Sequence, residues 1–171
     1  ELTGGKLIEG YGMTELTAAI TLGPVEGKWT PGSAGVPLPD VVLRIVDVET
    51  GEKDMPLGTE GEIVARCPQV MVGYWNRPEA TADMIRNGWL YTGDIGYISD
   101  EGCLFITSRK KELIKPGGFQ VWPREVEEVI STHPKVVEVG VAGIPDAYQV
   151  EAVKAWVVLR EGQTATAEEI Q

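Results

Sequence analysis

Tyr11, Thr14 and Glu15 fall within the five residues YGMTE, and their chemistries suit one kind of ligand. An aromatic face can stack on a purine ring. Gly12 lets a ligand come close to the backbone. The Thr14 hydroxyl can donate to a phosphate oxygen. A carboxylate such as Glu15 is a hard oxygen ligand of the sort Mg²⁺ prefers. Together they suit a nucleotide with its metal. The same stretch also fits a plain strand-to-helix turn, with Thr14 and Glu15 starting the helix.

Two further stretches carry candidate chemistry. In YTGDIG, Asp94 offers two oxygens, enough to accept from both hydroxyls of a ribose diol. It equally fits a β-turn aspartate beside glycine. In SRKKELIKPGG, Arg109, Lys110, Lys111 and Lys115 gather positive charge before the Gly117–Gly118 pair. Arginine can grip a diol or phosphate in fork geometry. A charged hairpin with a Gly-Gly turn is the alternative, and lysines at strand edges also discourage aggregation.

The 171-residue chain has a net charge of −11, which argues against a nucleic-acid surface. Apolar residues make up 43 %, enough for a real core. Cys67 and Cys103 make neither a disulfide framework nor a zinc site and read as core residues. The lone histidine, His133, reads as a surface or capping group at a helix end, so a hydrolase triad is not expected. Trp29, Trp75, Trp89, Trp122 and Trp156 read as core rather than ligand platforms, Trp122 least so. No run approaches a membrane span and no secretory signal is seen, so a cytoplasmic location is expected.

The elements that must position these residues read as an α+β fold. Glycines at 4, 5, 10 and 12 suggest turns, and 29–40 a Pro/Gly-rich loop. Strands are expected at 41–48, 60–66 and 69–75. A helix is expected over 77–88, with Pro78 in its first turn and Gly88 as its stop. A hairpin turns at SDEG, between GWLYTGDIGYI and CLFIT. Beyond the basic cluster, a helix at 123–133 carries Val126, Val129 and Ile130 on one face. Strands at 136–144 and 152–159 follow. Thr166 and Glu169 have capping-box spacing. A helix announced within the final residues, and a first residue that is not Met, suggest a piece of a longer protein.

Taken in order, YGMTE, PGSAGVPLP, GTEGEI, GYWNRPEAT, GWLYTGDIG and SRKKELIKPGGFQVWPREVE resemble the adenylate-forming (AMP-binding) superfamily. That superfamily comprises acyl-CoA synthetases, peptide-synthetase adenylation domains and beetle luciferases. The final motif is most similar to bacterial long- and medium-chain fatty-acid–CoA ligases. The resemblance implies a β-rich, distorted barrel-like subdomain followed by a small α+β domain. Residues 1–108 would be the C-terminal part of the large domain, with 1–24 the nucleotide segment and 25–108 β-rich. Residues 109–171 would be a truncated small domain, with a hinge near 109–112.

It implies an enzyme that joins a fatty acid to ATP as an acyl-adenylate and passes the acyl group to coenzyme A. By resemblance, Tyr11 stacks on adenine, Thr14 contacts phosphate, and Glu15 holds Mg²⁺. Asp94 and Arg109 hold the ribose, and Lys111 sits at the hinge. Lys115 belongs to the same basic segment, and Gly117 and Gly118 line the pantetheine channel. Only Gly10–Met13 could touch the acyl group. The superfamily's Lys-bearing phosphate loop and its C-terminal catalytic Lys have no counterpart here, so the chain alone is expected to catalyse neither step. Alternatives are an aryl-CoA ligase, an adenylation enzyme feeding a carrier protein, or a non-enzymatic interaction module. Peripheral membrane association of the parent enzyme is a further expectation.

Overall fold

A computed structural model of the chain describes residues 5, 7–27 and 30–170. The turn expected at Gly4 and the core role expected of Trp29 fall outside the described residues. The chain forms two compact units, Glu1–Thr107 and Ser108–Gln171. The architecture is α+β, with long strands and few short helices.

In the first unit, β1 (Gly10–Met13), β2 (Ala18–Leu22) and β3 (Val36–Pro37) form a small antiparallel sheet in that order. A larger sheet runs β4 (Val42–Val46), β5 (Gly61–Arg66), β7 (Trp89–Ile98), β6 (Ile85–Arg86), and β8 (Leu104–Arg109) also pairs with β7. Residues directly opposite in an antiparallel pair share a face. Leu43, Ala65, Leu90 and Ile85 therefore align on one face, beside the Ile45–Ile63 pair. This face joins Tyr11, Leu16, Ile20 and Leu104 in one core. Leu90 and Leu104 are fully buried there, which stabilises the fold by roughly 1.5–3 kcal/mol each.

The opposite face carries charge on aromatic rings. Arg44 and Arg66 lie over the Trp89 ring at 4.9 and 4.7 Å, and Arg86 lies over Tyr91 at 4.6 Å. Such contacts at exposed sites contribute about 0.5–1 kcal/mol each. Trp89 is thus a half-buried platform for arginines rather than a core residue. Trp75 and Trp156 also depart from the expected core role, at 89 % and 51 % exposure. Trp122 is half-buried. Cys67 packs against the core, Cys103 is half-buried, and both thiols are free.

Two expected elements differ. Residues 69–75 are not a strand; they form an irregular segment pinned to residues 15–19. The helix expected over 77–88 is only α1 (Pro78–Met84). Asn87 and Gly88 both have positive φ, 51° and 77°, the requirement of a type I′ hairpin turn. They reverse the chain between β6 and β7, pairing Arg86 with Trp89. Gly88 therefore closes a hairpin instead of stopping a helix.

In the second unit, α2 (Pro123–Ser131) packs on a hairpin of β9 (Val136–Asp146) and β10 (Val150–Leu159). The backbone N–H of Val141 donates to Glu127 Oε1 at 2.8 Å. Ser131 and Thr132 hydroxyls donate to the carbonyls of Glu128 and Val129, and α2 ends there rather than at 133. Val126 and Ile130 are half-buried, but Val129 is 71 % exposed. At α3 (Ala167–Ile170) the capping box forms. The Thr166 N–H donates to Glu169 Oε2 at 3.2 Å, and the Glu169 N–H donates to Thr166 Oγ1 at 3.3 Å. Among the described residues no helix is long and apolar enough to cross a membrane.

Candidate functional site

YGMTE spans β1 and a 3-10 turn at Thr14–Leu16. β1 meets β2 with an irregular register. Tyr11 faces Thr21 but Gly12 faces Ala19, which leaves Ile20 as an extra, buried residue on β2. The bulge draws the two backbones together at Gly12, where a Cβ would overlap the carbonyl of Ala18. Opposite it, Thr17 and Ala18 hold positive φ of 52° and 84°. Such strain in non-glycine residues concentrates at functional sites. Tyr11, Gly12, Thr14, Thr17 and Ala18 line one open groove of about 720 Å³. Thr14 is exposed, whereas Tyr11 keeps only 8 % of its surface open.

Asp94 reaches this region through a second bulge. On β5, Glu62 pairs with Ile95 and Val64 with Tyr91, so residues 92–94 all face Ile63. The Thr92 hydroxyl donates to the Ile63 carbonyl at 2.8 Å and accepts from the Asp94 N–H at 3.1 Å. Gly93 holds φ 71°, and its N–H donates to the buried Glu62 at 3.2 Å. A bulge of this kind re-aims a side chain. Here the aimed group is the Asp94 carboxylate, 6 % exposed, which accepts from the Tyr11 hydroxyl at 2.7 Å. Two candidates 83 residues apart are thereby joined.

Glu15 follows Thr14 in the same turn, but its carboxylate meets a residue that sequence reasoning missed. The Tyr74 hydroxyl donates to Glu15 Oε1 at 2.5 Å. Met84 Sδ lies 3.0 Å from the same hydroxyl; its single proton belongs on the charged carboxylate, the stronger acceptor. The bond to Glu15 pushes the Tyr74 phenol up to about 12, with burial and the carboxylate's charge adding to it. The only signal for Tyr74 in the sequence was its place in GYWNRPEAT. Among the described residues, no three His, Cys, Asp or Glu side chains gather as a metal cage.

The remaining candidates stand in the second unit. Lys110–Glu112 form a 3-10 turn, and Lys111 and Lys115 are exposed. Ile114 and Val121 exchange backbone hydrogen bonds of 3.0 and 2.9 Å, closing the loop between them. Inside it, Gly117 and Gly118 have φ 57° and 88°. A Cβ on either would meet nothing within 4 Å, so conformation rather than crowding calls for glycine. The Gly117 N–H donates to the Gln149 carbonyl, and the Lys115 N–H to Glu151 Oε2 at 2.7 Å. Arg109 ends β8 and is exposed. His133 is half-buried past the end of α2, with Nδ1 accepting from the Lys135 N–H at 3.3 Å.

Comparison with known proteins gives this geometry a setting. Residues 1–75 match the family model of the AMP-binding enzyme, and residues 125–171 that of the AMP-binding enzyme C-terminal domain. A long-chain-fatty-acid–CoA ligase of Bacillus subtilis (strain 168) is 48 % identical over 170 residues, which are 99 % of this chain and 30 % of that protein. A luciferin 4-monooxygenase of Luciola mingrelica is 43 % identical over 163 residues, 95 % of this chain and 29 % of its own. Among solved structures, ATP-bound MatB from Rhodopseudomonas palustris superposes with a TM-score of 0.87 at 41 % identity, covering 98 % of this chain and 33 % of that one. The chain thus spans about a third or less of the relatives it matches. With matches of this kind along nearly all of its length, the chain belongs to the AMP-binding enzyme family.

Proposed function

We propose that this chain supplies adenosine-binding and thioester-forming residues of an AMP-forming acid–thiol ligase. The substrates are a fatty acid, ATP and coenzyme A. The carboxylate attacks the α-phosphorus of ATP and releases pyrophosphate, leaving an acyl-adenylate. The thiol of coenzyme A then attacks the acyl carbonyl and AMP departs. The observation that carries this reading is the Tyr11–Asp94 hydrogen bond at 2.7 Å, which sets a purine-stacking ring beside a diol acceptor. Relatives named long-chain-fatty-acid–CoA ligase favour a fatty acid over an aryl acid, and coenzyme A over a carrier protein.

In this reading Tyr11 packs on the adenine and Gly12 keeps the backbone open to it. Thr14 donates to phosphate, Asp94 accepts from the ribose hydroxyls, and the Arg109 guanidinium, a donor only, supports the ribose. Glu15 would hold Mg²⁺. A single carboxylate, with no metal cage among the described residues, fits a cation that takes its other ligands from phosphate and water. When bound, the cation neutralises phosphate charge. Residues 1–108 are then the end of the large domain and 109–171 belong to the small one, with Lys111 in a hinge at 109–112. Gly117 and Gly118, next to Lys115, line the path of the thiol arm. We place the enzyme in the cytoplasm, with any membrane contact peripheral.

Replacing the 170 matched residues of the Bacillus subtilis ligase with this chain tests the reading. The hybrid should form fatty acyl-CoA and AMP. Asp94→Ala should lower its kcat/KM roughly 10–100-fold, the worth of a charged hydrogen bond. A folded hybrid that makes no acyl-CoA, or an Asp94→Ala variant of unaltered kcat/KM, overturns it.

A further inference from the structure

Tyr74 is held toward Glu15 by hydrogen bonds on both sides of it in the chain. The segment before it is laid on the YGMTE turn: the Met71 N–H donates to the Glu15 carbonyl at 2.8 Å. The Thr17 hydroxyl donates to the Gln69 carbonyl at 2.9 Å, and Gln69 Nε2 donates to the Ala19 carbonyl at 3.4 Å. The segment after it is anchored to α1. The Tyr74 N–H donates to Thr81 Oγ1 at 2.9 Å, and that hydroxyl donates to the Arg77 carbonyl at 2.9 Å. At Gly73 a Cβ would crowd the Thr81 side chain, at 2.9 Å from Cγ2. The spacing of GYWNRPEAT therefore has a mechanical meaning. Gly73 admits Thr81, Thr81 fixes the Tyr74 backbone, and the Tyr74 hydroxyl ends on Glu15 Oε1.

We propose that Tyr74 is a positioning residue for the Glu15 carboxylate, holding Oε1 so that Oε2 and the free lone pairs of Oε1 are presented to a hard divalent cation. This rests on the reading of Glu15 as the cation's ligand. A carboxylate offers about four lone-pair sites, and the single Tyr74 donor occupies one. Without that donor the Glu15 side chain rotates among several rotamers, and the cation must order it on binding. Outer partners of this sort are typically worth 10–100-fold in metal affinity.

The test uses Mn²⁺ with ATP as the probe, followed by electron paramagnetic resonance, on the hybrid ligase that carries this chain and on its Tyr74→Phe and Glu15→Gln variants. Glu15 side-chain order, read by ¹³C relaxation without any metal, is the second measurement. Tyr74→Phe should weaken Mn²⁺–ATP binding about tenfold and mobilise the Glu15 side chain. Thr81→Val keeps the tyrosine ring and should act in the same direction by a smaller factor, serving if Tyr74→Phe does not fold. Binding lost in Glu15→Gln but unaltered in Tyr74→Phe, or a Glu15 side chain equally ordered without the hydroxyl, overturns the proposal and leaves the metal reading standing. Mn²⁺–ATP binding by the hybrid ligase that is indifferent to Glu15→Gln overturns both.

Discussion

The surroundings of Tyr11 and those of Gly117 both hold candidate residues, and they are built by opposite means. Around Tyr11, side chains far apart in the sequence bind one another, Tyr11 to Asp94 and Glu15 to Tyr74. Two bulges aim them, and the backbones touch too closely for any Cβ at position 12. Around Gly117, backbone hydrogen bonds close the loop, the glycines face open space, and Lys111 and Lys115 extend into solvent. The first arrangement suits recognition of one rigid group. The second fixes a backbone path and leaves its charged side chains in solvent.

Alanine at each glycine sharpens this contrast. Gly12→Ala forces a methyl group into the Ala18 carbonyl, a backbone atom that cannot swing away. We expect a loss of about 3 kcal/mol or more in the first unit, measured by urea unfolding, together with loss of nucleotide binding. Gly117→Ala meets no atom and only strains a left-handed backbone. About 1–2 kcal/mol is expected, confined to the second unit. Equal losses at the two positions would dissolve the distinction between a packed site and a conformational one.

The sequence disclosed these regions unequally. The strands at 41–48 and 60–66 were legible because short apolar, β-branched runs bounded by turn residues suit a sheet interior; five successive residues of β5 are buried. The capping box at Thr166 was legible because both of its partners lie within one turn. The segment 69–75 misled because its apolar residues mimic a strand, while its hydrogen bonds run to Glu15 and Thr17 rather than along a ladder. Asn87–Gly88 carried a hairpin signal that the helical pattern of the preceding residues obscured. At the candidate site, residue types and motif order nominated Tyr11, Glu15 and Asp94, and of these the structure joins Tyr11 to Asp94. Tyr74 stayed hidden, since a tyrosine's partner 59 residues away leaves no local trace.

The smallest effect concerns two acid-capped turns, one in each unit. Asp47 accepts from the N–H groups of Thr50, Glu52 and Lys53 and from the Thr50 hydroxyl. Those bonds hold its carboxyl far below the usual carboxylate range. Asp146 accepts from only two N–H groups, of Gln149 and Tyr148, which also lower it. Both groups are depressed in the folded state. Each turn's contribution is therefore complete above the unfolded value near 3.9 and fades as pH falls through the folded one. With fewer donors favouring its charged form, Asp146 should take up its proton first. On acidification, amide exchange at Tyr148 and Gln149 is expected to quicken before exchange at Glu52 and Lys53. The carboxyl-carbon midpoint of Asp146 should lie above that of Asp47. The reverse order would mean that the number of backbone donors does not set the acid tolerance of these turns.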